Sequence, residues 1–344
     1  MRIKSLLGLA AMLTAACLFL SACNDDGGKP SASNDAKAAE AAKWNAYVSL
    51  SNDSGGFMSR MASYFAVFGA DAEPHVDSST VAAFLGGRQT PVSFLKRIPQ
   101  DVCDSVITEA GKTPQSELDK KALAYAQSIR AIWTTFKDVL SYYEAKSYAD
   151  DGLAKGRQLH AAMLSEFGEL QRTHESFSIA MTEQNTLNML RDAKDMRAEG
   201  MKLTPAALEF VVAARAVSAE LERQQLTEDT VYTLDTAAFK PQYDELVKAL
   251  TEVQTAGDDK AQMEKEGLDA GRVETVVSYA KKIKGSATGI MELAAKGEPK
   301  KNAFKMTDFN QRMNKEYNTP KDYDWLLEQL IGSYNRLLET RKAR

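Results

Sequence analysis

Residues 118–143 read LDKKALAYAQSIRAIWTTFKDVLSYY, and their apolar residues recur at alternating gaps of four and three. The recurring residues share one side of a helix and are Leu118, Ala122, Tyr125, Ile129, Ile132, Phe136, Val139 and Tyr143. This spacing is a heptad seam, which buries against other helices by knobs-into-holes packing. The stretch therefore predicts a long helix packed within a helical bundle.

Four further stretches repeat this spacing, two of them over many turns. They contain Leu153, Gly156, His160, Met163, Phe167, Leu170, His174, Phe177 and Met181; Val273, Val276, Ala280, Ile283, Ala287, Ile290 and Ala294; Tyr243, Leu246, Leu250 and Val253; and Tyr323, Leu327, Leu330, Tyr334 and Leu337. No convincing strand pattern competes with these helices. We therefore predict an all-α fold, an elongated antiparallel helical bundle with coiled-coil-like seams.

Thr-Pro pairs precede three seams, at 113–114, 204–205 and 319–320. Threonine can accept a hydrogen bond from the first free amides of a helix, and proline in the first turn has no amide to leave unpaired. We therefore predict helix starts at these pairs. Glycine favours the C-terminal end of a helix, so Gly200 and Gly297 predict helix ends.

The first 23 residues have the parts of a bacterial lipoprotein signal peptide in the expected order. Arg2 and Lys4 are followed by a mostly apolar run over 6–20 and then by Leu20-Ser21-Ala22-Cys23. The last four residues resemble a lipobox, whose cysteine is acylated after the preceding peptide is removed. We therefore predict that 1–22 are a signal peptide and that lipidation of Cys23 anchors the chain in a lipid bilayer. An ordinary secretory peptide that leaves a free cysteine is the alternative.

Asn24 follows the predicted anchor, whereas aspartate at this position is the usual inner-membrane retention signal in lipoproteins of the enteric type. This favours the outer membrane, facing the periplasm, over the inner membrane. Small and polar residues predict a flexible tether over 23–40. Residues 41–344 are then one all-helical domain, in which the Pro- and Gly-containing region 69–112 is predicted to be an irregular loop with short helices.

The charge balance argues against one class of function, and the cysteine content limits disulfide formation. Without Arg2 and Lys4 the remaining chain has 41 basic and 47 acidic residues, which argues against general nucleic-acid binding. Cys17 belongs to the signal peptide and Cys23 is the predicted anchor, so Cys103 has no intramolecular disulfide partner. A lone thiol of this kind is more often buried than reactive.

Several strings in the chain match a known family. They are Trp44-Asn45-Ala46-Tyr47-Val48, Leu118-Asp119, the stretch from Tyr142-Tyr143 through Asp150-Asp151 to Leu159-His160, and Tyr334-Asn335-Arg336-Leu337. Together they resemble the YiiG-like bacterial lipoprotein family, which is defined by a domain of unknown function. The resemblance implies an all-helical envelope lipoprotein, and it implies no activity, cofactor or catalytic residue.

Two histidines on one seam raise the possibility of a metal or catalytic site. His160 and His174 are fourteen residues apart, which is about 21 Å along a continuous helix, so they cannot share one ion. Neither belongs to a Glu-x-x-His or His-Glu-x-x-His motif. We therefore predict satisfied histidines in the core or at its edge, and no metal site.

Asp150 and Asp151 precede Gly152, but the acidic spacing of an EF-hand calcium loop is absent. We predict instead that Asp150 or Asp151 caps a helix beginning near Leu153. Three tyrosines, at 142, 143 and 148, would pack at this turn. Their hydroxyls would reach solvent or a backbone group. A ligand-stacking platform is the alternative.

A local basic surface lies between 281 and 305. It contains the lysines at 281, 282, 284, 296, 300, 301 and 305, against glutamates at 292 and 298. Such a surface could meet an anionic cell-wall or lipid surface, although charge runs on helices are usually solvated faces. No phosphate-binding loop, G-x-S-x-G elbow or Cys-x-x-Cys pair is present, so the sequence predicts no cofactor and no enzymatic activity.

These features favour a non-catalytic helical lipoprotein that binds or scaffolds an envelope protein partner along its helices. The alternative is a small-ligand carrier with a pocket between helices. That pocket would be lined by Phe136, Tyr142 and Tyr143 and gated by the loop 69–112.

Overall fold

The computed structural model describes residues 32–86, 100–112, 115–297 and 318–342. These ranges form α-helices and one short 3-10 helix, and they contain no β-strand. The helices are α1 (Ala32–Phe68), α2 (Ser78–Leu85), α3 (Gln100–Ala110), α4 (Glu117–Glu144), α5 (Tyr148–Asp151), α6 (Ala154–Ala198), α7 (Leu203–Arg223), the 3-10 helix (Val231–Thr233), α8 (Thr236–Asp258), α9 (Lys260–Glu266), α10 (Ala270–Lys296) and α11 (Pro320–Lys342). The prediction of an all-α helical bundle is confirmed.

The heptad seams identify the buried sides of the helices. Every apolar residue of the seam at 118–143 is buried on α4, and the seam of α10 is buried except at Ala294, which is half-buried. Residues three and four apart lie on the same side of a helix, so local spacing is enough to locate this side. In contrast, α7 is buried at each residue from 203 to 208 and shows no single seam. Heptad spacing does not reveal a helix that is apolar on several sides.

The chain divides into two compact units, residues 1–184 and 185–344. In the first unit, α1 packs against α2 and α3, and α4 packs against the same two helices. Its core is rich in fully buried aromatic side chains, which are Tyr47, Phe57, Tyr64, Phe68, Phe84, Tyr125, Phe136, Tyr143 and Phe177. Many of these rings meet edge to face, as Phe68 and Phe84 do with centroids 4.8 Å apart.

A buried ion pair joins α1 to the start of α4. Lys43 Nζ lies 2.7 Å from Asp119 Oδ2, and the Tyr47 hydroxyl donates to Asp119 Oδ1 at 2.5 Å. Asp119 also forms a capping box with Ser116, in which each side chain accepts a hydrogen bond from the other residue's amide. Burial raises the pKa of Asp119, but the bonds from Lys43 and Tyr47 outweigh burial and hold that pKa below its ordinary value. The Asp119 carboxylate is therefore charged, and in this form it joins α1 to α4.

In the second unit, α7 packs against α8, α9 and α11, and α10 packs against α7, α8 and α11. The core includes the fully buried residues Phe210, Phe239, Leu246, Ile283, Tyr323, Leu327 and Leu330. The Tyr323 hydroxyl donates to the Ala214 carbonyl at 3.0 Å, which satisfies a polar group inside this core. Gly289 of α10 lies so close to Asn318 that a β-carbon at 289 would collide with the Asn318 amide.

The predicted helix ends agree with the structure at three of the described positions. Thr319 caps α11, where its hydroxyl accepts from the Asp322 amide at 3.3 Å. Gly200 follows α6 and Gly297 follows α10, and both have positive φ, a conformation that favours glycine. The pair at 113–114 lies outside the described residues, and α4 begins at Glu117.

The prediction that Thr204 caps α7 is wrong. This helix begins at Leu203, and Thr204 acts as a donor rather than an acceptor. The buried Glu266 carboxylate accepts the amides of Lys202, Leu203 and Thr204 at 2.7, 2.8 and 2.9 Å. The free amides of α7 are thus capped by a residue of α9, more than sixty positions along the chain.

Several predicted features lie wholly or partly outside the described residues. The signal peptide, the lipobox with Cys23 and the first part of the tether are among them. The last part of the predicted tether is helical, since α1 begins at Ala32 in an alanine-rich stretch that favours helix. The described parts of 69–112 contain α2 and α3, consistent with short helices in that region. No helix in the described ranges is both long and apolar enough to cross a bilayer.

Candidate functional site

His160 is completely buried in the first unit, and both ring nitrogens are occupied. The Tyr64 hydroxyl lies 3.0 Å from Nδ1, and the Asp71 carbonyl lies 2.8 Å from Nε2. A carbonyl can only accept, so Nε2 carries the proton and Nδ1 accepts from Tyr64. Burial lowers the pKa of His160, which keeps the ring neutral at neutral pH. The prediction of a satisfied core histidine is confirmed here.

His174 is half-buried on the same helix. Its ring packs edge-on against Tyr125, with centroids 5.2 Å apart, and its Nε2 lies 3.5 Å from the Ser178 hydroxyl. Burial lowers the pKa of His174 as well. No cluster of three or more His, Cys, Asp or Glu side chains suited to a metal occurs in the described part of the chain.

Asp151 caps α6 as predicted. Its carboxylate accepts the amides of Leu153 and Lys155 at 2.9 and 3.0 Å. The Tyr142 hydroxyl donates to the same carboxylate at 2.8 Å, which lowers the pKa of Asp151. Both carboxylate oxygens of Asp151 are therefore used in holding the helix start and Tyr142.

The Tyr143 hydroxyl departs from the prediction that it reaches solvent or a backbone group. It is buried and has no hydrogen-bond partner among the described residues. Burial raises its pKa to about 12. The ring is held instead by stacking on Phe68, with centroids 4.9 Å apart.

The three residues predicted to line a ligand pocket, Phe136, Tyr142 and Tyr143, belong to the hydrophobic core of the first unit. All three side chains are buried, and Phe84 packs within 6.0 Å of the Phe136 and Tyr143 rings, measured between centroids. Phe68 covers the other side of Tyr143. These rings therefore form part of the packed aromatic core of the first unit.

A groove of about 440 Å³ lies in the second unit, where the sequence predicted no site. Its walls come from the end of α6, the start of α7 and the last turns of α8, and its lining consists of Arg197, Lys202, Ala206, Thr251, Glu252, Thr255, Ala256 and Asp259. Alanines at 206 and 256 leave space at its apolar part. No local sequence signal marks this groove, because its residues come from three separate helices.

Each of the two cations of the groove pairs with a carboxylate. The Arg197 guanidinium donates to Glu252 at 2.9 Å and also to Glu209, so it joins α6, α7 and α8. Lys202 Nζ lies 3.9 Å from Asp259. All these side chains remain partly exposed to solvent, which allows a polar ligand to compete for them.

The basic surface predicted from 281–305 is described in part. Lys281, Lys282 and Lys296 are exposed on α10, and Lys284 is half-buried beside α8. The remaining lysines, at 300, 301 and 305, lie outside the described residues. Cys103 is buried, and burial raises the pKa of its thiol to about 11, so its placement agrees with the prediction.

The comparison with protein families assigns most of the helical body. Residues 38–336 match the family model described as protein of unknown function, DUF3829. The chain belongs to the DUF3829 family. This match extends over most of both compact units and, together with the relative named below, confirms the YiiG-like resemblance.

One curated relative of this DUF3829 protein is the uncharacterized protein YiiG of Escherichia coli strain K12. The two are 26% identical over 102 residues, which is 29% of each chain. The similarity thus spans less than a third of the relative. No solved structure matches this DUF3829 protein.

Proposed function

We propose that this DUF3829 protein is a lipid-anchored protein of the bacterial envelope whose helical body binds a protein partner and catalyses no reaction. Leu20-Ser21-Ala22-Cys23, placed after a basic start and an apolar run, supports acylation of Cys23. Asn24 after the acylated cysteine supports a location at the outer membrane, facing the periplasm.

The structural roles of several potentially reactive side chains support a helical body that catalyses no reaction. His160 is held between Tyr64 and a backbone carbonyl, Asp151 caps a helix, and Cys103 is buried with a raised pKa. These three groups are therefore committed to the fold. A catalytic acid or nucleophile needs access to its substrate, which the buried positions of His160 and Cys103 do not give.

A row of exposed apolar side chains on α6 carries the proposal of a protein partner. Ile179, Leu187 and Leu190 are exposed to 48%, 61% and 44%. Their spacing of eight and three residues places them on one side of the helix. Large apolar side chains gathered on one side of a helix are typical of surfaces that bind another protein.

Site-specific crosslinking in native membranes tests this proposal. A photoreactive residue at Leu187 should capture a protein, whereas the same residue at the exposed Asp229, which follows α7 and lies away from α6 in the chain, should not. Mass spectrometry of the crosslinked bands identifies what was captured. Equal capture at both positions, or none at either, would contradict a partner-binding side of α6.

The groove in the second unit favours a small-ligand carrier as the second candidate. Its paired cations and carboxylates suit a small molecule with both charges, and its volume is sufficient for one. The purified chain should then bind amino acids or short peptides in calorimetry, and Ala206→Leu should abolish the heat by filling the groove. Unchanged heat in Ala206→Leu would exclude the groove as the binding site.

A further inference from the structure

His160 connects three segments of the first unit. Residues 69–77 join α1 to α2, and we call them the 69–77 turn. The Asp71 carbonyl of this turn accepts the proton of His160 Nε2 at 2.8 Å, and the Tyr64 hydroxyl of α1 donates to Nδ1 at 3.0 Å. One buried imidazole on α6 therefore holds both the turn and the end of α1.

The other contacts of the 69–77 turn are local or exposed. The His75 amide donates to the Phe68 carbonyl at 2.8 Å, which closes the turn onto the end of α1. Arg157 of α6 lies 3.5 Å from Glu73, but these side chains are 46% and 79% exposed, and an ion pair in water contributes little. The buried bond from His160 is therefore a principal link between the turn and α6.

The His160 ring makes these two bonds in its neutral form. A neutral imidazole has one donor and one acceptor, which match the Asp71 carbonyl and the Tyr64 hydroxyl. Protonation adds a second N–H group at Nδ1, which then faces a hydroxyl that donates to it. The Tyr64 hydroxyl could turn to accept this bond, but its own proton would then need a new acceptor.

The surroundings of Tyr64 do not suit that rearrangement. Its ring is surrounded by aromatic rings with centroids 4.9–6.2 Å away, which belong to Phe65, Phe68, Phe84 and Phe136. These rings carry no oxygen or nitrogen atom that could accept the hydroxyl proton. Protonation of His160 in the closed structure therefore buries a charge and leaves a hydroxyl proton without a good acceptor.

The titratable and charged groups around this ring and Tyr64 come from the turn, α6, α1 and α4, and they are Asp71, Glu73, His75, Arg157, Tyr64 and Tyr143. Burial lowers the pKa of His160, and the charge of His75 acts in the same direction. The Asp71 carbonyl and the Glu73 carboxylate favour the charged ring, but they do not reverse this shift. The closed structure therefore binds the proton less readily than exposed histidine does.

We propose that His160 is a pH switch, whose protonation releases the 69–77 turn from α6 and opens this end of the first unit to water. In the open state both N–H groups of the charged ring can be hydrated. Acid therefore favours opening once the pH falls below about 6.5, the ordinary pKa of histidine. The inference depends on the geometry of the first unit alone, and it is independent of the proposed anchor and partner.

Hydrogen exchange of the full-length chain between pH 7.5 and pH 5 tests the switch. The reporter is the His75 amide, which the Phe68 carbonyl protects while the turn is closed. After correction for the intrinsic pH dependence of exchange, this amide should exchange up to about tenfold faster for each pH unit below about 6.5, because the open state binds one more proton. Amides in the middle of α10 should keep their protection, and they report any general loss of structure.

His160→Gln separates the switch from other effects of acid. Glutamine keeps an N–H donor for the Asp71 carbonyl and an oxygen acceptor, but it does not titrate. The turn should therefore stay protected at pH 7.5 and lose its response to acid. His174→Gln, which changes a half-buried histidine of the same helix, is the matched control and should keep the full response. The same response in the wild type and His160→Gln, or no response in the wild type, would overturn the switch.

A nitrogen NMR titration of the unmodified chain tests the switch without a variant of His160. The chain has three histidines, at 75, 160 and 174, so their ring signals can be assigned with His75→Gln and His174→Gln. His160 should show the neutral Nε2–H form at pH 7.5 and should become charged only as the His75 amide loses protection. A charged His160 ring at pH 5 in a turn that stays protected would overturn the proposal.

Discussion

Asp324 on α11 is a largely buried carboxyl group beside two other acids. Its Oδ1 accepts from the Ser218 hydroxyl at 2.5 Å, and no cation forms an ion pair with it among the described residues. Burial raises the pKa of Asp324 to about 6, and the negative charges of Glu222 and Glu328 act in the same direction. The charged form is therefore less stable in the folded protein than in the unfolded chain.

We expect Asp324→Asn to stabilise the protein at neutral pH. The folded pKa is higher than the unfolded one, so the carboxyl group lowers the free energy of unfolding as pH rises from about 4 through 6. Asparagine keeps an acceptor for Ser218 and should raise that free energy by about 1–2 kcal/mol at pH 7.5 and change it little at pH 4. Urea denaturation at both values measures this, with Asp229→Asn at an exposed position as the control. A loss of stability at pH 7.5 would refute the assignment.

For single residues, the role of a side chain could be predicted from the sequence where its partners are close in the chain. Asp151 as a helix cap follows from its position two residues before the first amide that it accepts. The environment of His160 could be predicted only as buried, because its partner Tyr64 lies 96 positions away. The raised pKa of Asp324 could not be predicted from the local sequence, because its main cause is burial in the folded protein, where Asp324 meets Ser218 of another helix.

At the scale of helices, the start of α7 depends on Glu266 of α9. Burial raises the pKa of Glu266, but hydrogen bonds from Thr204, Gln262 and the amide of Lys202 outweigh it and lower that pKa overall. The carboxylate complements both the free amides and the positive end of the helix.

We expect Glu266→Gln to destabilise the protein at neutral pH. Glutamine has one acceptor oxygen, and its amide group would face the donors of Lys202 and Leu203. The free energy of unfolding should fall by about 2–4 kcal/mol, which urea denaturation at pH 7 measures. Glu264→Gln, an exposed change on the same helix, is the matched control and should have almost no effect. Similar losses in the two variants would refute the capping role.

At the scale of the whole molecule, the proposed lipid anchor at Cys23 would decide at which membrane the protein works. We expect Cys23→Ala to abolish incorporation of labelled palmitate and to move the protein from the membrane fraction to the soluble fraction, because several acyl chains hold a protein on a bilayer and none would remain. Cys103→Ala is the control and should change neither measurement, since its thiol is buried. Retention of label or of membrane binding in Cys23→Ala would refute the anchor.

The sequence by itself determined the helical class, the buried sides of α4 and α10, and the caps at Asp151 and Thr319. Each depends on residues three or four positions apart, whose contacts the geometry of one helix imposes. Only the tertiary structure decided that Glu266 caps α7, that Lys43 and Asp119 join α1 to α4, and that the body forms two compact units. Heptad seams resemble one another, so they show that a helix side is buried without specifying which helix covers it.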